Sequence, residues 1–171
     1  MYLAGPEVFL PEAADVGAAK RRICARHGLS GLFPIDESRP QRDAATIHRA
    51  NLALMRQAGA VVANLSPFRG PGADPGTAFE VGFMAALGKP VFAYTNRPGT
   101  LLDRMRAGGA ATADADGGWR DADGLAIEDF GLAENLMLAV AADIVGADRP
   151  LPLGDLTVFE ECVRRAAERL C

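Results

Sequence analysis

Two short, uninterrupted apolar runs limit the folds open to this chain more than any other feature. Ala60-Val61-Val62-Ala63-Asn64-Leu65 and Pro90 to Tyr94 bracket a helix-patterned stretch from Thr77 to Leu87. A strand with one wet face alternates polar and apolar residues, whereas a run apolar throughout is covered on both faces. Two such strands separated by a helix predict a parallel sheet with helices on both faces. The flanking segments fit that order. Tyr2 to Ala4 reads as a first buried strand, and Glu12 to His27 as a helix stopped by Gly28. Leu32-Phe33-Pro34 reads as a short second strand and Ala44 to Gln57 as another helix.

Beyond Thr95 the periodicity weakens. Leu101 to Arg106 predicts a short helix, and Gly108 to Gly124, rich in Gly, Ala and Asp, predicts a mobile surface loop. Ala133 to Val145 is apolar and helix-prone, and a terminal helix is expected from about Asp155 to Leu170 after the Pro-containing stretch Arg149 to Leu153. No break in composition divides the 171 residues, so one α/β domain over 1–171 is expected.

Charge and composition exclude several classes of partner. The formal net charge is -4, with none of the basic striping of a nucleic-acid binder. No apolar run approaches the roughly 18 residues of a membrane span. The opening Met1-Tyr2-Leu3-Ala4-Gly5-Pro6 lacks the basic and long apolar regions of a secretory signal. Cys24, Cys162 and Cys171 are odd in number and far apart, which predicts reduced thiols in a cytoplasmic protein. With His27 and His48 as the only histidines, no metal site is expected. No cofactor is expected either. The loop Ser66 to Pro75 has no Gly-Lys-Ser/Thr of a phosphate-binding loop, and Pro75 stands where a dinucleotide fingerprint needs its third glycine.

In open parallel sheets ligands bind beyond the carboxyl ends of the strands, which here means Gly5 to Pro11, Ile35 to Arg42 and Ser66 to Pro75. Glu80 is the chemical candidate nearest those loops. It is the only charged residue from Pro75 to Gly88, and its helical neighbours Gly76, Thr77, Phe83 and Met84 form a small and apolar stripe. A carboxylate on such a stripe is desolvated and needs work or partners, unless the helix turns it to water. Asp74 before Pro75 has the form of a helix N-cap, and equally of an acceptor for a ligand hydroxyl. Asn51 lies on the apolar stripe of Ile47, Leu54, Met55 and Ala58, so its amide needs a structural or a ligand partner.

Taken together these stretches resemble the nucleoside 2-deoxyribosyltransferase family. The matching residues are Tyr2-Leu3-Ala4-Gly5-Pro6 with Phe9, and the run Ala60 through Val91 with its Asp74-x5-Glu80-x-Gly82 spacing. A third match is Phe130-Gly131-Leu132-Ala133-Glu134-Asn135-Leu136-Met137-Leu138. The resemblance covers roughly the first 95 residues and the segment near Asn135. It implies a flavodoxin-like, Rossmann-like sheet and an enzyme that moves 2-deoxyribose between nucleobases, with deoxyribonucleosides and free bases as small-molecule partners. Glu80 then matches the nucleophile, Tyr2 the tyrosine that holds and tunes it, and Asp74 and Asn135 the residues that grip the sugar hydroxyls. Gly5 and Phe9 fall among the substrate-binding positions, and Asp36 in the loop that faces the base. In the family the asparagine comes from a neighbouring subunit, so Asn135 implies a homo-oligomer formed through the apolar segment Leu136 to Ala142.

Two positions depart from the pattern. Several members carry an aspartate where Asn51 stands. An asparagine cannot donate an acidic proton, although its amide can bind a base edge. The terminal Leu170-Cys171 lacks the aromatic that some relatives insert into a neighbour's site. Two rival functions follow from the same residues: a hydrolase of deoxynucleoside 5-monophosphates, and a non-catalytic nucleotide-binding module. Asp74 disfavours the first by repelling a phosphate, and the lone carboxylate Glu80 disfavours the second.

Overall fold

The computed structural model describes residues 1–35 and 43–170. Its sheet has four parallel strands: β1 (Tyr2–Ala4), β2 (Val61–Asn64), β3 (Val91–Thr95) and β6 (Asp143–Gly146), in the order β1-β2-β3-β6. Every residue of the first three strands is buried, as apolar runs covered on both faces require. Register pairs Tyr2 with Val61, Val61 with Val91 and Phe92 with Asp143. The helices are α1 (Ala13–Arg26), α2 (Ala44–Gln57), α3 (Pro75–Ala86), α4 (Leu101–Ala107), α5 (Leu136–Ala139) and α6 (Thr157–Leu170).

Alternate residues of each strand feed two cores. Leu3, Val62, Phe92, Tyr94 and Val145 meet Ile23 and Cys24 of α1 and Phe159 and Val163 of α6 on one face. Tyr2, Ala4, Val61, Ala63 and Ala93 meet Met55 of α2 and Val81 and Met84 of α3 on the other. The expected parallel sheet with helices on both faces is therefore present. Gly28, at φ +74, stops α1 where expected, because its backbone turns into a region that side chains disfavour. Cys24 and Cys162 are buried free thiols. No helix among the described residues is long and apolar enough to cross a membrane.

Three expectations need correction. The strand expected over Leu32-Phe33-Pro34 shrinks to one parallel bridge, Leu32 against Tyr2, held by Leu3 N–H to Leu32 O at 3.0 Å and Leu32 N–H to Met1 O at 2.7 Å. Pro34 has no N–H to extend the ladder. With that bridge counted as a rudimentary second strand, the spatial order becomes 2-1-3-4-5, the flavodoxin-like arrangement, whose ligand crevice opens between the first and third strands. The segment Gly108 to Gly124 is not featureless: β4 (Thr112–Ala113) and β5 (Trp119–Arg120) pair antiparallel across a turn. Asp114 organises that turn by accepting from the Asp116 and Gly118 N–H groups.

The third correction concerns Ala133 to Val145. Only Leu136–Ala139 is helical, and Ile144 and Val145 belong to β6. The open edge of β3 offers ladder hydrogen bonds and a buried face, which override the helix propensity of the alanines.

Candidate active site

The crevice at the carboxyl ends of β1 and β2 is bounded by the loops Gly5 to Phe9 and Ser66 to Asp74 and by the start of α3. Asp74 is the N-cap of α3: its Oδ2 accepts from Thr77 N–H at 2.8 Å and from the Thr77 hydroxyl at 3.1 Å, with Pro75 at the first helical position. The helix that begins there buries Thr77, Val81 and Met84, and Glu80 rides on the same stripe.

Glu80 does not turn to water. Tyr2, fully buried on β1, donates its hydroxyl to Glu80 Oε1 in a short hydrogen bond. Burial raises the Glu80 carboxyl from its ordinary 4.5 to about 7; the Tyr2 hydrogen bond opposes that rise, and the negative charge of Asp74 adds to it. Burial, followed by the charge of Glu80, pushes the Tyr2 phenol well above its usual range, so it stays a donor. A carboxylate with a hydroxyl donor, a second carboxylate nearby and a raised pKa has the features of a nucleophile or general base.

Tyr2, Asp74 and Glu80 are therefore assembled in one place, with Gly5 and Phe9 on the adjoining loop. A side chain on Gly5 would put its Cβ 2.1 Å from Glu7 Oε2 and 2.9 Å from Asn64 Cβ, so only glycine fits there. Phe9 is 55% exposed and stacks on Phe68 with ring centroids 5.1 Å apart. The Arg69 guanidinium lies over both rings, at 5.2 and 4.7 Å.

Asn135 makes no hydrogen bond to that group and serves as the N-cap of α5. Its Oδ1 accepts from Met137 N–H at 3.0 Å and its Nδ2 donates to Glu128 Oε1 at 2.7 Å. Asn51 is half-buried on α2, with no side-chain hydrogen bond among the described residues. Ile47, expected on its apolar stripe, is exposed. Asp36 lies outside the described residues. Among these, no group of three or more His, Cys, Asp or Glu side chains is arranged to hold a metal ion. One cavity, of about 490 Å³, lies at the opposite end of the sheet between Lys89–Phe92 and Val140–Asp143, away from this chemistry.

Sequence reasoning missed a buried polar network on the other face of the sheet, directly under Gly5. Glu7 and Lys20 are both fully buried and ion-paired through Glu7 Oε1. The same oxygen accepts from Tyr94 Oη at 2.5 Å and Asn64 Nδ2 at 3.0 Å. Lys20 also sits among the rings of Phe159, Tyr94 and Phe33, at 4.9, 5.4 and 5.9 Å. Burial pushes the Glu7 carboxyl up, but the Lys20 charge and these hydrogen bonds outweigh it and hold the group below its ordinary value. The signal was available: Lys20 shares a helical stripe with Gly17, Ile23 and Cys24, just as Glu80 shares one with Thr77 and Met84. The network ties the first turn after β1 to the sheet and so fixes the wall that carries Gly5 and Phe9.

Comparisons with known proteins point to one family. The family model for nucleoside 2-deoxyribosyltransferase matches residues 1–137. The chain is similar to the 2-desoxiribosyltransferase from Leishmania mexicana, with 30% identity, a TM-score of 0.73, and coverage of 99% of this chain and 97% of that one. It is also 30% identical over 188 residues to an uncharacterized protein of Schizosaccharomyces pombe, covering 99% of this chain and 89% of the relative. The match spans the strands, the loops and the helix that build the crevice, and the chain belongs to the nucleoside 2-deoxyribosyltransferase family.

Proposed function

We propose that this chain transfers 2-deoxyribose from one nucleobase to another through a covalent intermediate on Glu80. The observation that carries the reading is the hydrogen-bonded Tyr2–Glu80 pair on the second turn of α3, with Asp74 at the N-cap of the same helix. The ionised Glu80 attacks the anomeric carbon as the bond to the departing base breaks. The electron pair of that bond leaves on the base nitrogen, and the carboxylate forms an ester with the sugar. A second base attacks the same carbon from the original side, releases Glu80 and leaves the configuration retained. The negative charge of Glu80 stabilises the cation that develops on the sugar, and more strongly in a dry crevice. The 2-deoxy sugar forms that cation readily because it lacks an electron-withdrawing 2-hydroxyl.

Family resemblance assigns Asp74 and Asn135 to the sugar hydroxyls, and Asn51, Asp36, Gly5 and Phe9 to substrate contacts. The Asn51 amide can bind a base edge but cannot protonate it. The family resemblance implies sites shared between subunits. The exposure of Met137 at 73% and Val140 at 76% supports self-association through the segment that follows Asn135. Buried free thiols at Cys24 and Cys162 fit a reducing, cytoplasmic setting.

The test is incubation of a deoxyribonucleoside with and without a second free base, followed by product analysis and mass spectrometry of the Glu80 peptide. Exchange products and a deoxyribosyl adduct on Glu80 are expected. Free 2-deoxyribose as the sole sugar product, even with acceptor base present, would replace the transferase reading with a hydrolase.

A further inference from the structure

Between the loop that ends in Asp74 and the turn that begins with Asn135 lies a second buried carboxylate. Glu134 is 4% exposed. Its Oε2 accepts from Ala73 N–H at 2.9 Å, and its Oε1 accepts from Asn135 N–H at 3.0 Å. Each of those amides is at, or next to, a residue assigned to the sugar. Arg104 of α4 closes the arrangement. Its guanidinium lies 3.5 Å from Glu134 Oε2, donates from Nε to Pro71 O at 2.8 Å, and donates from Nη2 to Ala133 O at 2.6 Å. Gly72 leaves room for the carboxylate, since a Cβ there would come within 3.1 Å of Glu134 Oε1.

We infer that Glu134 and Arg104 form a buried latch that sets Asp74 in this subunit's own crevice and Asn135 toward the neighbouring subunit's crevice to which the family resemblance assigns it, making Glu134 a positioning residue for nucleoside binding. Three observations support this. A buried carboxylate is retained at a cost unless its partners need it, and here the partners are two backbone amides and a guanidinium. Both amides belong to short, irregular segments that no sheet hydrogen bond holds in place. The arginine grips the carbonyls of the same two segments, so both ends of the span are held from both sides. Among the described residues Glu134 makes no hydrogen bond to Glu80 or Tyr2, so it acts through the segments it ties.

The inference rests on the transferase reading above, and its test separates the two. Steady-state exchange is measured with the deoxyribonucleoside and the acceptor base varied in turn. The wild type is set beside Glu134→Ala, Glu134→Gln and Gly72→Ala, with thermal melting of each. Misplacing a substrate-holding group by about an ångström costs up to about a hundredfold. For Glu134→Ala the expected result is a rise of about tenfold or more in KM for the nucleoside. KM for the free base and the acid limb of the pH profile stay where they were. Glu134→Gln, which keeps an acceptor oxygen, recovers part of the loss, and Gly72→Ala, which presses on the latch, loses a smaller part. A residue that only supported the fold would lower kcat and melting temperature without splitting the two KM values. Unchanged nucleoside KM in Glu134→Ala overturns the latch. Should that variant not fold, unchanged nucleoside KM in both Glu134→Gln and Gly72→Ala overturns it equally. Absence of exchange in the wild type overturns the functional reading instead.

Discussion

Replacing Glu80 with glutamine should make the protein more stable, and increasingly so as the pH rises. Burial and the nearby Asp74 raise the folded-state pKa of Glu80 from 4.5 to about 7. A group whose pKa is raised by folding contributes fully below its unfolded value and loses that contribution as pH climbs through the folded value. Each pH unit of that interval is worth roughly 1.4 kcal/mol, so ionised Glu80 costs about 3 kcal/mol near pH 8 and under about 1 kcal/mol near pH 5. Glutamine keeps an oxygen for the Tyr2 hydroxyl and carries no charge. A chain of this size shifts its melting temperature by about 2–4 °C per kcal/mol, so the variant should gain about 6–12 °C on wild type near pH 8 and little near pH 5. Calorimetric melting of both proteins across that range reads the difference directly. A constant gap would mean that Glu80 is not strained when charged. A gap that closes as pH rises would reverse the sign and refute the electrostatic account of the site.

Four further outcomes are expected. Tyr2→Phe removes the hydrogen bond that favours the carboxylate, so the acid limb of kcat/KM against pH should move up by about one to two pH units; a limb that stays in place would separate Tyr2 from Glu80. Lys20→Met strands Glu7 without its counter-charge and should cost about 3–5 kcal/mol by chemical denaturation, least at acid pH where Glu7 protonates, while Glu7→Gln with Lys20→Met restores most of it. Asp74→Ser keeps an N-cap for α3 and should leave stability nearly intact. It should also lower turnover of a deoxyribonucleoside relative to its 5-monophosphate; a wild type that prefers the monophosphate would favour the hydrolase. Charged replacements at Met137 and Val140 should dissociate an oligomer in sedimentation, and a wild type that is an active monomer would rule out a site shared between subunits.

Legibility in the sequence followed the strength of local patterning. The segments of β2, α3 and β3 stood out because burial on both faces leaves continuous apolar runs, and an Asp-Pro pair marks where α3 begins. Glu80 stood out because a single charge interrupts an apolar stripe, and burial on that stripe is a local property of helix geometry. β6 did not stand out. Its Ile144 and Val145 follow an alanine-rich stretch, and only the open edge of β3, distant in sequence, makes them a strand. Glu7 and Lys20 were missed for a related reason. Lys20 shows only as a charge on the apolar stripe of α1, Glu7 reads alone as an ordinary surface charge, and their value lies in each other and in Asn64 and Tyr94 on the same face of the sheet. Glu134 lies within the family-like stretch Phe130 to Leu138, yet its proposed role depends on Ala73 and Arg104, which no spacing rule connects to it.

The crossover from β3 to β6, residues 96–142, has a consequence for how such enzymes diverge. It contributes no strand to the main sheet, yet it holds α4, the β4–β5 hairpin, Glu134 and Asn135. Doubling the length of a flexible connection costs only about 0.6 kcal/mol in closure entropy. Glu80 and Tyr2, the proposed reacting carboxylate and its hydrogen-bond donor, instead sit on a helix and a strand whose register the core dictates. If the proposed roles hold, insertions, deletions and hairpin exchanges in this crossover alter which nucleoside is gripped while the Tyr2–Glu80 pair keeps its geometry. Selection on substrate range has a segment to work on that selection on folding leaves almost free.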